Sequence, residues 1–479
     1  MGTVDYSDVQ GLLRFGYGKL RDARFYLLRI RDADAARAWL SAAPVSTAET
    51  QTPPPKRALQ VAFTASGLRN LGVREQIVES FSPEFVNGMI GESNRSRRLG
   101  DTGDNDPANW LWGGPNERID LLVMLFAPHG EMDGWLQQVC NAEWDRAFEG
   151  NALTTSDLNG REPFGFIDGI SQPVLDWEMR RDVSQDQIDY TNLVALGEFI
   201  LGYPNEYGKY TERPLLDPDY EGADTLLPAE DDPGKRDLGR HGTYLVLRQL
   251  EQDVAGFWNF VNGQNGSSAS GKALAEAMVG RRFDDGAPLV SRSEEPIEGI
   301  TEEAGDPENR FTYQADGEGL RCPFGAHIRR SNPRNSDFPT RPSGIISRTL
   351  AMLGAGAPGF RDDLIASTRF HRLLRRGREY GHPGQDPGPA GLHFVCLNGS
   401  ISRQFEFVQN SWIVNGKFNA LPDESDPLLG APDGSFSIPR EGKCPLHVPG
   451  IPRFVTVRGG AYFFLPGIRA IRYFARAAK

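Results

Sequence analysis

"HGTYLVLRQLEQDVAGFWNFV", residues 241–261, passes from an alternating strand straight into a helix. The same order recurs upstream. "ARFYLLRI" (Ala23–Ile30) reads as a strand and precedes the helical "DADAARAWLSAA", with Asp32 or Asp34 near the helix start. "RALQVAFTASGLRNLGV" (Arg57–Val73) gives a strand, a small-residue turn and a short helix. "ERIDLLVMLFAP" (Glu117–Pro128) is a strongly apolar strand followed by the helix of "MDGWLQQVCNAEW". Downstream, "GLHFVCLNGS" and "RQFEFVQNSW" (Gly391–Trp412) read as strand, turn or short helix, then strand or helix. "FVTVRGGAYFFLPGIRAIRYFARAA" closes on a helix with Ile468, Ile471, Phe474 and Ala475 on one face and Arg469, Arg472 and Arg476 on the other. Strands separated by helices predict an α+β fold with helices over one sheet face. Two halves of similar order predict a tandem duplication, although no sequence repeat is visible.

The 479 residues suffice for two domains or one large one, with 39% hydrophobic and 24% charged residues as in ordinary globular proteins. A net charge of −12 argues against nucleic-acid and anionic-membrane partners. No run of 18 apolar residues occurs, so no membrane span is predicted. The four cysteines, Cys140, Cys322, Cys396 and Cys444, lie far apart without a CxxC pair and suit buried thiols in a reducing compartment. With no basic start leading into an apolar run near residue 1, a cytoplasmic location is expected. Assembly into a homo-oligomer is left open.

Among the polar segments, "DTGDNDPANWLWGGPNE" lacks the glycine and closing Glu of a calcium loop and is expected to be solvated. "GFIDGISQP" (Gly165–Pro173) places a lone acid, Asp168, between an apolar run and a glycine. It is either a turn Asp bonding its own backbone or a carboxylate held against another group. No phosphate-cradling, dinucleotide, serine-elbow or HExxH motif is present.

Of the seven histidines, His129, His241 and His382 sit in loop settings and are expected to face solvent. His371 lies in an Arg-rich stretch and His393 in an apolar strand. His327 differs, standing in "RCPFGAHIRRSNPR" beside Arg329, Arg330 and Arg334. A neutral imidazole among guanidinium groups suits haem b, with iron bound axially and propionates paired with Arg. A plain surface patch is the alternative. Zinc held by Cys322, His327, Cys444 and His447 is disfavoured, because neither pair has a zinc knuckle.

Taken together, "DVQGLLRFGY", "AFTASGLRNLGV", "GFIDGISQP", "CPFGAHIRRSNPR", "HRLLRRGREYG", "RQFEFVQ" and "RFVTVRGGAYFFLP" resemble the dye-decolourising peroxidases. GxxDG alone is a weak signal; followed by the histidine and Arg-rich motifs it is strong. The length resembles the family's longer branches. The resemblance implies two ferredoxin-like α+β halves, antiparallel sheets covered by helices, expected at residues 1–190 and 191–479, with haem b mainly in the second. It implies His327 as iron ligand, Asp168 and Arg375 as the catalytic pair, Arg334 and more weakly Arg329 as propionate partners, and Glu406 bonded to the iron-bound imidazole. Gly377 departs from the compact branch, which has Asn there, leaving Asp168 and Arg375 as the distal pair. The implied function is reduction of hydrogen peroxide with oxidation of bulky organic donors such as dyes and phenolics. A haem-binding or haem-handling protein on the same scaffold is the alternative. An Asp base, with a reference pKa near 3.9 against about 6.5 for His, predicts activity biased to acid.

Overall fold

The computed structural model describes residues 4–180, 192–264, 268–290, 307–334, 367–383 and 388–476. The first half contains β1 (Asp22–Ile30), α1 (Ala33–Ala42), β2 (Ala58–Phe63), α2 (Ala65–Leu71), β3 (Leu121–Ala127), α3 (Met132–Val139), α4 (Ala142–Ala147) and β4 (Phe148–Thr154). The second contains β5 (Thr243–Gln252), α5 (Val254–Gly263), α6 (Ser268–Val279), α7 (His327–Ser331), β6 (Leu374–Arg375), β7 (Arg378–Tyr380) and β8 (Gly391–Asn398). A π-wound helix over Ser402–Glu406 and Val408–Val414 follows, then the hairpin β9 (Gly434–Arg440) and β10 (Lys443–Ile451), β11 (Val455–Leu465) and α8 (Ile468–Arg476). Several helices start where side-chain oxygens take up free amides. Asp32 accepts from Ala35 N, Thr64 from Gly67 N and Asp253 from Gly256 N, at 2.8–3.0 Å.

Apart from the β9–β10 hairpin, these strands form one antiparallel sheet in the order β6-β8-β5-β11-β2-β3-β1-β4, with β7 also on β8. The two halves repeat a single strand order, β2-β3-β1-β4 matching β6-β8-β5-β11. They meet at a narrow seam, where β11 and β2 pair only at Phe464 and Phe63. Beyond that pair the Gln10 side chain substitutes for a strand. Its amide donates to Val61 O at 2.8 Å and to Pro466 O at 2.9 Å, and its oxygen accepts from Val61 N at 2.9 Å.

Alternate residues of β3 enter two cores. Leu121, Val123 and Leu125 pack toward the helices; Leu122, Met124 and Phe126 join Val9, Leu12, Phe199 and Ile200 on the other face. That second face is covered by loops and short 3-10 turns, so the sheet is dry on both sides and its central strands read as unbroken apolar runs. α8 docks its apolar face, with Phe474 against Phe63 at 5.5 Å between ring centroids.

Three expectations need correction. The stretch from Asp101 to Glu117 is not a solvated loop. Asp101 is ion-paired to the buried Arg248, Asn105 Oδ1 accepts from Val457 N at 2.9 Å, and Trp112 Nε1 donates to Gln249 Oε1 at 2.7 Å. Its polar residues fasten it to β5 and β11. His241 is buried rather than solvent-facing, its ring held between Asp8 at 2.6 Å and the Tyr203 hydroxyl at 2.7 Å. All four thiols are free, but only Cys322 and Cys396 are buried; Cys444 is exposed on the hairpin. The expected boundary at 190/191 lies outside the described residues. Among the described residues no helix is long and apolar enough to cross a membrane.

Candidate active site

On the helix-bearing face of the second half, the period-2 spacing of three strands builds the floor of a cavity. Arg248, Leu250 and Gln252 come from β5, Val455 and Val457 from β11, Leu392 and Phe394 from β8. The π-wound helix contributes Phe405, Val408, Gln409 and Ile413. Such winding recurs at functional sites because it displaces side chains from their α-helical positions. Residues 162–173 form one wall and α7 another.

His327 opens α7 and lines the cavity. Its Nδ1 lies 2.9 Å from Asp426 Oδ2, and the Asp426 side chain is fully buried. Asp426 Oδ1 accepts from Leu428 N and Leu429 N, each at 2.9 Å. Burial opposes ionisation of Asp426, yet His327, with help from Arg330 and Leu429 N, holds its carboxyl below the usual range. Burial likewise opposes charge on His327, and Asp426 reverses that and raises the imidazole above its ordinary value. A carboxylate on Nδ1 fixes the tautomer, leaving the Nε2 lone pair for the cavity.

Asp168 and Arg375 reach the same cavity from other elements. The turn carrying Asp168 folds back on itself, with Asp168 N donating to Gly160 O at 3.0 Å and Glu162 N to Phe166 O at 2.9 Å. Gly165 adopts φ +100°, and a Cβ there would meet the Phe283 ring at 2.9 Å, so this corner requires glycine. Arg375, on β6, donates through Nη1 to Asp168 Oδ1 at 2.8 Å, and its amide donates to Gln172 Oε1 at 3.0 Å. Burial works against the charged Asp168, but Arg375 keeps its carboxyl below the usual range. Glu162 behaves oppositely. Burial, aided by nearby Asp168, pushes it up to about 7 despite three hydrogen-bond donors. Two carboxyl groups on one cavity are thus driven apart in pKa, so that Asp168 is the one held ionised.

The remaining expected site residues do not reach the cavity as expected. Glu406 is not the imidazole's partner; it accepts from Tyr462 OH at 3.0 Å and pairs with Arg95 Nε at 2.9 Å, and Asp426 occupies the position expected for it. Arg329 is turned about 200° around α7 from His327. Its guanidinium is fully buried on Asp316 Oδ2, Asp316 O and Cys322 O. Arg334, past the helix end at φ +57°, donates to Asn309 O, Asn309 Oδ1 and Phe311 O. Neither Arg329 nor Arg334 is among the cavity's lining residues, whereas Arg281 and Arg372 are. Asp426, Glu162 and Gln252 were not foreseen. An Asp followed two and three residues on by bonded amides signals a turn, not a distant histidine.

The donor set suits haem. A single imidazole nitrogen faces a largely apolar space with arginines on its walls, as needed by an iron whose in-plane ligands arrive with a macrocycle.

No family model matches the chain. It is 29% identical over 451 residues to the multifunctional dye peroxidase DyP2 of Amycolatopsis sp., covering 86% of this chain and 81% of that protein. It is 26% identical to a dye-decolorizing peroxidase of Exidia glandulosa, over 98% of this chain and 87% of the other. The crystal structure of a fungal DyP-type peroxidase from Auricularia auricula-judae shares the fold, with a TM-score of 0.72, 24% identity, and coverage of 99% and 100% of the two chains. That of an Anabaena DyP-type peroxidase does likewise, with a TM-score of 0.71, 22% identity, and coverage of 98% and 94%.

Proposed function

We propose that this chain, which belongs to the dye-decolourising peroxidases and is a peroxidase, binds haem b through His327 and uses Asp168 and Arg375 to break hydrogen peroxide. The observation that carries the reading is the convergence of two separate carboxylate-bonded pairs, His327–Asp426 and Asp168–Arg375, on one cavity. Haem, when bound, supplies the redox chemistry: two electrons to peroxide, regained from organic donors.

The chain's own residues manage protons and charge. Ionised Asp168 accepts a proton from one peroxide oxygen and delivers it to the other, which leaves as water. Arg375 holds Asp168 in its charged form and offers guanidinium N–H groups to negative charge on the departing oxygen. Asp426, bonded to Nδ1, keeps Nε2 basic and aimed at the metal position. Arg281 and Arg372 line the cavity and would be the arginines to meet the propionates, giving up for them part of their present bonding to Gly286 O, Glu308 O and Ser171 Oγ and to Thr368 O and Asn192 Oδ1. The donors would be bulky dyes and phenolics. Four free thiols support a reducing, cytoplasmic setting.

The test is an absorption spectrum of hemin-loaded protein before and after one equivalent of hydrogen peroxide. We expect a Soret band that shifts promptly and returns when donor is added. His327→Ala should lose most of the haem. Asp168→Asn should keep it and slow the reaction with peroxide by roughly 10²–10⁴-fold. A Soret band that peroxide merely bleaches would favour a haem-handling protein, and no Soret band would refute His327 as ligand.

A further inference from the structure

Two polar side chains on the cavity wall take no part in the proton transfer described above. Gln252, the last residue of β5, is 8% exposed, and its Nε2 donates to Glu162 Oε2 at 2.7 Å. Glu162 is itself pinned: Oε2 also accepts from Phe164 N at 3.0 Å, and Oε1 accepts from Phe166 N at 2.9 Å. Those two amides belong to the turn that carries Asp168, so Glu162 ties that turn to the sheet.

This arrangement decides which way the Gln252 amide points. While Glu162 is ionised its carboxylate only accepts, so the amide nitrogen must donate and turning the amide over would set oxygen against oxygen; below about pH 7, where Glu162 takes up a proton, that constraint lapses. The amide oxygen is therefore directed away from Glu162. It is buried, belongs to a residue that lines the cavity, and has no protein partner among the described residues. A buried acceptor left without a partner costs stability, and in a binding cavity its natural partner is the ligand.

Hydrogen peroxide has two O–H groups, and Asp168 can accept from only one of them before the proton moves. We propose that Gln252 Oε1 accepts the other O–H, holding the peroxide at both ends, and that Glu162 is the positioning residue that aims this oxygen. The inference rests on Asp168 being the peroxide base. Gln252 then contributes to substrate capture, with no proton of its own to give or take.

Gln252→Leu and Gln252→Met remove the acceptor at similar volume. In hemin-loaded protein both should keep the wild-type Soret band and hemin affinity. KM for peroxide should rise about five- to ten-fold, the worth of one neutral hydrogen bond, with kcat changed by less than about two-fold. Glu162→Gln, which frees the amide to turn over, should move KM the same way. A readout apart from turnover is the ratio of dissociation constants for imidazole and 1-methylimidazole, followed in the Soret band. Imidazole offers an outer N–H to a cavity acceptor and its methylated form does not, so wild-type preference for imidazole should fall about five- to ten-fold in both Gln252 variants. If either variant binds hemin normally and keeps the wild-type peroxide KM or imidazole preference, the role of Gln252 is overturned and the haem reading stands. Wild-type protein that takes up no hemin overturns both.

Discussion

Arg375 Nη1 donates to Asp168 Oδ1 at 2.8 Å, joining β6 to a turn 207 residues earlier in the chain. Burial alone would raise the Asp168 carboxyl; the guanidinium more than offsets it and holds the group below the usual carboxylate range. A base with a lowered pKa stays deprotonated further into acid, so reaction with peroxide should persist at mildly acidic pH. Arg375→Leu removes the charge, and the Asp168 pKa must then rise. The acid limb of kcat/KM for peroxide should shift to higher pH, on top of a lower plateau. Stopped-flow mixing across the pH range measures both, and an unmoved limb would remove Asp168 as the titrating base.

The proximal carboxylate is a second point of test. In Asp426→Asn, Nδ1 can still donate to the amide oxygen, but the negative charge beside the imidazole is gone. Hemin affinity should drop by roughly 10–100-fold, the usual cost of losing such a partner, with an altered Soret position. Glu406→Gln should leave Soret position and hemin affinity unchanged, because Glu406 is engaged with Tyr462 and Arg95. The reverse pattern, read by hemin titration, would return the imidazole's partner to Glu406.

Acid activity carries a stability limit. Burial lowers both His371 and His393 to about 4. In the unfolded chain they titrate near 6.5, so between about pH 6.5 and pH 4 the unfolded state binds protons that the folded state refuses. Their stabilising contribution is complete above that window and is lost as pH falls through it, by up to roughly 3 kcal/mol for each histidine. Urea denaturation at pH 7 and pH 4.5 should show a lower midpoint in acid. Replacing His393 with Gln should flatten that difference, and an undiminished slope would place the acid sensitivity elsewhere.

Gly165→Ala probes the corner ahead of Asp168. The substitution asks an L-residue to hold φ +100° with its Cβ against Phe283, which is confined by Phe166 and Trp258. A loss of about 1–3 kcal/mol is expected from the backbone alone. Because Asp168 lies three residues on, the reaction with peroxide should slow as well. Thermal unfolding and stopped-flow rates on one preparation check the two effects together.

Strand–helix alternation was legible because each element has its own period. The paired strands of the two halves stand where Tyr26, Val123, Val246 and Val395 predict strands. Asp168 and His327 could be singled out because each sits in a dense local motif, Arg375 followed only from the family resemblance, and the structure brings all three to one cavity. Asp426 had no such context. Its partner is 99 residues away, and in "PDESDPLL" it is one acid among several. Arg329 and Arg334 were misread because a cluster of charges looks alike whether it faces a ligand or is consumed by backbone carbonyls. His241 was misread for a related reason: Asp8, its partner, lies 233 residues earlier. Pairings closed across such distances leave no periodic trace in sequence.

The seam between the halves also sets an order of events during synthesis. β11 is the last strand of the sheet to leave the ribosome, yet it belongs at the middle, between β5 and β2. The strands β1 to β4 are synthesised long before then, and in the fold the Gln10 side chain occupies Val61 on the edge beside β11. That occupied edge is a poor template for a stray strand from another nascent chain. The cavity, by contrast, lacks Val455 and Val457 until β11 arrives. Its contents are therefore taken up after translation has passed residue 465.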